Sequence, residues 1–92
     1  MTRRVRIEEV LVYLGVGDRS LLEQLRAEGL FEGDELSPDE AEELRLARVL
    51  MEELGVNAAG VDVALHLRRR LFALEARARA LAEAMADEPT RR

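Results

Sequence analysis

The chain has no cysteine, no tryptophan and no lysine, one histidine, two prolines, and only Tyr13, Phe31 and Phe72 as aromatic residues among its 92 positions. Without cysteine, disulfides and thiolate-bound metal sites are excluded, which suits an intracellular protein, and a cytoplasmic location is expected. No run of 18 apolar residues occurs, so no membrane-spanning helix is expected. Arg3, Arg4 and Arg6 start a basic N-terminus, but Glu8 and Glu9 interrupt the apolar stretch that a secretory signal needs. All fourteen basic side chains are arginine, as in chains from GC-rich genomes. A monomer of this size buries only about 60–65% of the surface its unfolded chain exposes, so a partner or self-association is an expected part of its stability.

Hydrophobic residues make up 48% of the chain and charged residues 36%, the balance of a folded domain. The net charge of -5 is unevenly spread. Nine carboxylates between Glu32 and Glu53 face only Arg45 and Arg48, a local charge of -7. That segment repels a phosphate backbone and complements a basic protein surface.

The periodicity predicts an all-α fold with a minimal hairpin. Ile7, Val10, Leu11 and Leu14 mark a first helix over 7–14, ended by Gly15. Asp18 is placed to cap a second helix carrying Leu21, Leu22 and Leu25, which Gly29 stops, and Tyr13 is expected to lie partly buried against it. Leu30, Phe31 and Leu36, with Glu32-Gly33-Asp34 between them, suggest a small local hairpin. Ser37-Pro38-Asp39-Glu40 reads as a capping box that opens a third helix running to Leu54, with Leu44, Ala47, Leu50, Met51 and Leu54 on its apolar side.

After Gly55, Asn57 caps a last helix of about 28 residues, or roughly 42 Å. Val61, Leu65 and Phe72 share one face of it, and Leu67, Leu71, Leu74, Ala78, Leu81 and Met85 form a second stripe. The preceding residues hold too little apolar surface to cover both. Leu67, Leu71, Leu74 and Leu81 are therefore expected to close a homodimer.

Catalytic chemistry finds no foothold. His66, the only imidazole, has Asp62, Val63, Arg69 and Arg70 as its helical neighbours, short of a zinc ligand set. Ser20 and Ser37 have no nearby histidine, and no glycine-rich phosphate loop follows a strand. The expectation is a protein that is not an enzyme and uses no cofactor or metal. Gln24 and Arg26 on the second helix could read bases, but from 18 to 28 the net charge is -1, and nucleic acid is not the expected partner. Candidate partner-binding residues are Glu40 and Glu43, read as exposed charges of the third helix, and Asp62, His66, Arg69 and Arg70, a polar sector of the last.

The order of elements, with Gly15-Val16, Glu28-Gly29-Leu30 and the stretch from Leu54 through Gly55, Val56, Asn57, Ala58, Ala59 and Gly60 to Val61, resembles the MerR-like helix-turn-helix domains. The last stretch looks like the junction found in chaperone modulators of the CbpM type and in the heat-shock repressor branch of MerR proteins. DNA-binding members carry an arginine-rich wing, where this chain has Phe31-Glu32-Gly33-Asp34-Glu35-Leu36. The resemblance over roughly residues 5–85 therefore implies a chaperone modulator that binds the J-domain of a DnaJ-type co-chaperone and regulates its action with a DnaK-type ATPase. A MerR-like regulator of heat-shock or chaperone genes is the alternative. It also implies a helix-turn-helix region over 1–56, a packing and dimerisation helix over 57–88 and a tail over 89–92, with Gly55, Asn57 and Gly60 shaping the junction.

Overall fold

A computed structural model describes residues 3–17 and 19–87. Strand β1 (Val5–Arg6) leads into helix α1 (Ile7–Tyr13), followed by α2 (Ser20–Ala27), strand β2 (Glu35–Leu36), α3 (Pro38–Arg48), a π-helical turn (Val49–Glu53) and α4 (Ala58–Ala86). The result is a small, mostly helical domain with one antiparallel strand pair and a long final helix. It measures 60 × 30 × 20 Å, because α4 outruns the body that holds its first turns.

The core forms where the helical periodicities converge. Ile7, Val10 and Leu11 of α1 meet Leu21, Leu22 and Leu25 of α2, Leu44 and Ala47 of α3, and Ala58, Val61 and Leu65 of α4. Leu25, Leu36, Leu44, Val61 and Leu65 are the most completely enclosed side chains. Each is worth about 1.5–3 kcal/mol in transfer free energy.

The two strands are not a local hairpin. Val5 pairs with Leu36 and Arg6 with Glu35, and the Ile7 amide donates to Asp34 O at 2.9 Å. A two-residue strand lacks a periodic signal of its own, and its partner lies some thirty residues away. The segment expected to form the hairpin is instead an irregular loop. There Phe31 holds φ at 54°, an unusual value for a bulky side chain, and Arg26 braces the loop with Nε on Phe31 O at 2.9 Å and Nη2 on Gly33 O at 3.0 Å.

Helix starts follow local chemistry. Ser37 Oγ accepts from the Glu40 amide at 3.2 Å while the Ser37 amide donates to Glu40 Oε1 at 2.9 Å, a complete capping box with Pro38 in the first turn. Asn57 Oδ1 accepts from the Gly60 amide at 2.8 Å. The expected Asp18 cap lies outside the described residues; α2 starts after Arg19, which supplies no capping side chain. Gly29 at φ 81° and Gly55 at φ 71° take the left-handed conformation that ends a helical run with little strain.

Three expectations need correction. The third helix stays α-helical only to Arg48, and the wider π turn then changes the helical phase, so Leu50 and Met51 are half-buried and Leu54 is exposed. Tyr13 does not pack on α2. It is 89% exposed, because it points about 100° away from the Ile7, Val10, Leu11 and Leu14 face. Phe72 is half exposed rather than enclosed with Val61 and Leu65; two turns beyond Leu65, it borders an open cavity with Asp39, Glu40 and Glu43 of α3, and Arg68 stacks over its ring at 4.6 Å from the centroid.

Candidate functional site

Of the six expected partner-binding residues, Glu40, Asp62, His66 and Arg69 line one groove, and Glu43 and Arg70 do not. Glu43 is buried, at 5% exposure, so it cannot display charge to solvent as the sequence suggested. Its carboxylate takes a bidentate pair of hydrogen bonds from Arg69, Nε to Oε2 and Nη2 to Oε1, both at 2.8 Å, and Arg68 Nη1 stands 3.9 Å away. The pair ties α3 to α4 across 26 residues of sequence. Its hydrogen bond raises the pKa of the Arg69 guanidinium while partial burial pulls the other way.

Glu40 is also committed locally, since one carboxylate oxygen closes the capping box. The same oxygen lies 3.6 Å from Arg4 Nη2, and Arg4 also donates to Glu35 O at 2.9 Å. Asp62 and His66 meet as the helical spacing requires. His66 Nδ1 is 3.3 Å from Asp62 Oδ1 and 3.1 Å from Asp62 O. Arg70 is exposed and lies about 100° round the helix from Arg69 and one turn beyond His66, outside the groove that Asp62, His66 and Arg69 line.

What does converge is a groove of 440 Å³ between the loop after α2, the start of α3 and the first half of α4. Glu28, Glu32, Glu35, Glu40 and Asp62 contribute five carboxylates, against the guanidinium groups of Arg4 and Arg69. Both arginines are already engaged by carboxylates. The groove therefore presents net negative charge, with His66 on its wall. Glu28, Glu32 and Glu35 were missing from the candidate set. The signal for Glu32 and Glu35 was present in the acidic run, which Glu28 precedes, but without the fold nothing placed the loop against α4.

A smaller electrostatic feature lies on the outer side of α3. Arg45 Nε and Nη2 clamp the Glu42 carboxylate at 2.7–2.9 Å. The hydrogen bond from Arg45 holds the Glu42 carboxyl below the usual carboxylate range. Beside it, Val5, Val10, Leu14, Pro38 and Ala41 line an apolar groove of 570 Å³ that Tyr13 borders. Among the described residues, no group of three or more histidine, aspartate or glutamate side chains is placed to hold a metal ion, and no helix is long and apolar enough to cross a membrane.

The second apolar stripe of α4 is solvent-facing throughout. Leu67, Leu71, Leu74, Leu81 and Met85 are between 45% and 62% exposed, and no residue after Arg70 in this helix is buried. Gly60 sits at the opposite end. A Cβ added there would lie 2.7 Å from Val56 Cγ1 and 3.2 Å from the capping Asn57 Oδ1, so the junction is closely packed at Gly60, whereas a Cβ at Gly55 would meet nothing within 4 Å.

Comparison with known proteins returned no match among family models, curated proteins or solved structures.

Proposed function

We propose that the chain is a non-enzymatic, MerR-like helix-turn-helix module that captures the J-domain of a DnaJ-type co-chaperone and regulates its work with a DnaK-type ATPase, acting as a homodimer through α4. The observation that carries this reading is the acidic groove, whose five carboxylates and engaged arginines suit a basic helical surface. Asp34 and Asp39 extend the negative surface beside it and add long-range attraction. The gene-regulator reading ranks second. Arg26, its natural base-reading side chain, is spent on Phe31 O and Gly33 O, which leaves Gln24 exposed on an acidic surface.

Titration calorimetry against the cognate J-domain tests the proposal. Binding should weaken as salt rises, and Glu28→Lys with Glu32→Lys should reduce it most at low salt, since surface charges are screened over roughly 8–10 Å near physiological ionic strength. No binding at high micromolar concentration overturns the J-domain reading. Sequence-selective retardation of an operon fragment, lost on Gln24→Ala, would put the regulator first.

A further inference from the structure

We infer that the acidic groove adjoins a second, aromatic-walled seat, so that the basic helix it receives also carries one large apolar side chain that closes over Phe72. This rests on the reading of the groove as a partner's binding site and adds an apolar contact to it. The second cavity, of 500 Å³, lies between the start of α3 and the middle of α4, lined by Asp39, Glu40, Glu43, Arg68, Arg69 and Phe72. The groove takes Asp62, His66 and Arg69 from α4, and the cavity takes Arg68, Arg69 and Phe72. The two share Glu40 and Arg69 and so adjoin along the helix.

Charge changes from one to the other. The groove sets five carboxylates against two guanidinium groups. In the second cavity Asp39, Glu40 and Glu43 meet Arg68 and Arg69, and Glu43 is already engaged by Arg69. That end is close to neutral, so a further cation gains little attraction there. What it offers instead is the Phe72 ring, half exposed, with Arg68 at 4.6 Å from its centroid. Arg68 in turn stands 3.9 Å from Glu43. The ring is thus supported from its own helix before a partner arrives, which reduces the ordering that binding requires. A half-exposed phenyl group beside a charge-balanced wall favours an apolar cover, since that takes the ring out of water without stranding a charge.

Phe72 lies about 140° round α4 from the centre of the stripe that runs from Leu67 to Met85. Pairing of that stripe leaves the ring uncovered. Along the helix, Phe72 is ten residues from Asp62, about 15 Å at 1.5 Å per residue. A helix lying along groove and cavity therefore places its apolar residue about three turns from its first cation. The occupant is an amphipathic basic helix, and a uniformly charged one fits poorly.

Two synthetic helical peptides separate the apolar contact from the charge. Both carry the same cations over two turns, and about three turns from the first cation one has leucine where the other has alanine. Proton NMR can follow the ring directly, because Tyr13, Phe31 and Phe72 are the only aromatic residues. The leucine peptide should bind about tenfold tighter than the alanine peptide, and its methyl groups should show Overhauser contacts to the Phe72 ring. Phe72→Ala should abolish that preference equally at low and high salt, since burial of an apolar ring is not screened, and Phe72→Leu should keep most of it. The cognate J-domain should lose about the same factor on Phe72→Ala. Equal affinity of the two peptides for the wild type, no binding of either, or no contact to the ring overturns the inference. A J-domain that binds Phe72→Ala as tightly as the wild type overturns it too, while the groove reading stands. If the wild type binds no J-domain, that reading falls, and the peptide preference alone decides the inference.

Discussion

Breaking the Glu43–Arg69 clamp should destabilise the domain far more than altering any of its other ion pairs. The carboxylate is 7% exposed at the side-chain level, whereas Arg69 keeps half of its surface in water. At about 4 Å between charge centres and an effective dielectric of about 20, the attraction is about 4 kcal/mol. Desolvating the carboxylate offsets much of that. Removing Arg69 leaves the cost without the gain. A fully buried pair loses about 3–5 kcal/mol when one partner goes. Because Arg69 is half exposed and Arg68 stands 3.9 Å away as a partial substitute, Arg69→Ala should cost about 1–3 kcal/mol. In a domain of this size, that lowers Tm by roughly 5–15 °C. Glu43→Lys should be worse, since it sets three cations together in a closed site, and loss of the folded state is the expected outcome. Replacing both partners, as in Glu43→Leu with Arg69→Met, should recover most of the loss. Urea denaturation of Glu43→Leu, Arg69→Met and their double gives the coupling directly. Single variants within about 0.5 kcal/mol of wild type, the range of ordinary surface substitutions, would refute the clamp.

Four further outcomes follow from local geometry. Ser37→Ala should cost about 1 kcal/mol in thermal unfolding, because it strips one half of the capping box. Gly60→Ala should lower Tm despite alanine's helix-propensity advantage of about 1 kcal/mol, since Val56 Cγ1 and Asn57 Oδ1 stand in the way of the new methyl; a raised Tm would show the junction to be loose. Arg26→Ala should free the loop over 30–34, read as faster amide exchange there while α2 stays protected. Glu42 should titrate below the usual carboxylate range in carbon NMR and return toward it in Arg45→Ala. Because its folded pKa is depressed, whatever the pair contributes to stability is present above the ordinary range and is lost as pH falls through the lowered value.

What could be read from the sequence was what adjacent residues decide. The capping box at Ser37, the Asn57 cap, the glycine stops and the inward faces of α1 and α2 each depend on residues within a turn or two. The strand pair and the Glu43–Arg69 clamp join segments 26 or more residues apart, where periodicity carries no information. A clue to the clamp was nonetheless present. On a helical projection Glu43 falls between Ala47 and Leu50, in the apolar sector, and a carboxylate there needs a partner. Tyr13 could have been placed outside by the same projection. The π turn leaves no comparable mark in the sequence, and a register continued at 100° per residue misplaces Leu54. The groove was legible only as an acidic run, because the loop after α2 reaches α4 through tertiary packing.

The clamp has a mechanical consequence. Arg69 is close to the last point at which α4 is held by the body, and the helix continues to Ala86 beyond it. That free length is an arm of about 25 Å at 1.5 Å per residue. A tilt of only 10° at the fulcrum would carry its tip about 4 Å sideways, nearly the rise of one helical turn. A two-pronged ion pair is stiffer against such tilting than an apolar contact, since both of its short bonds would have to lengthen together. One carboxylate under α4 therefore sets the aim of everything the arm carries.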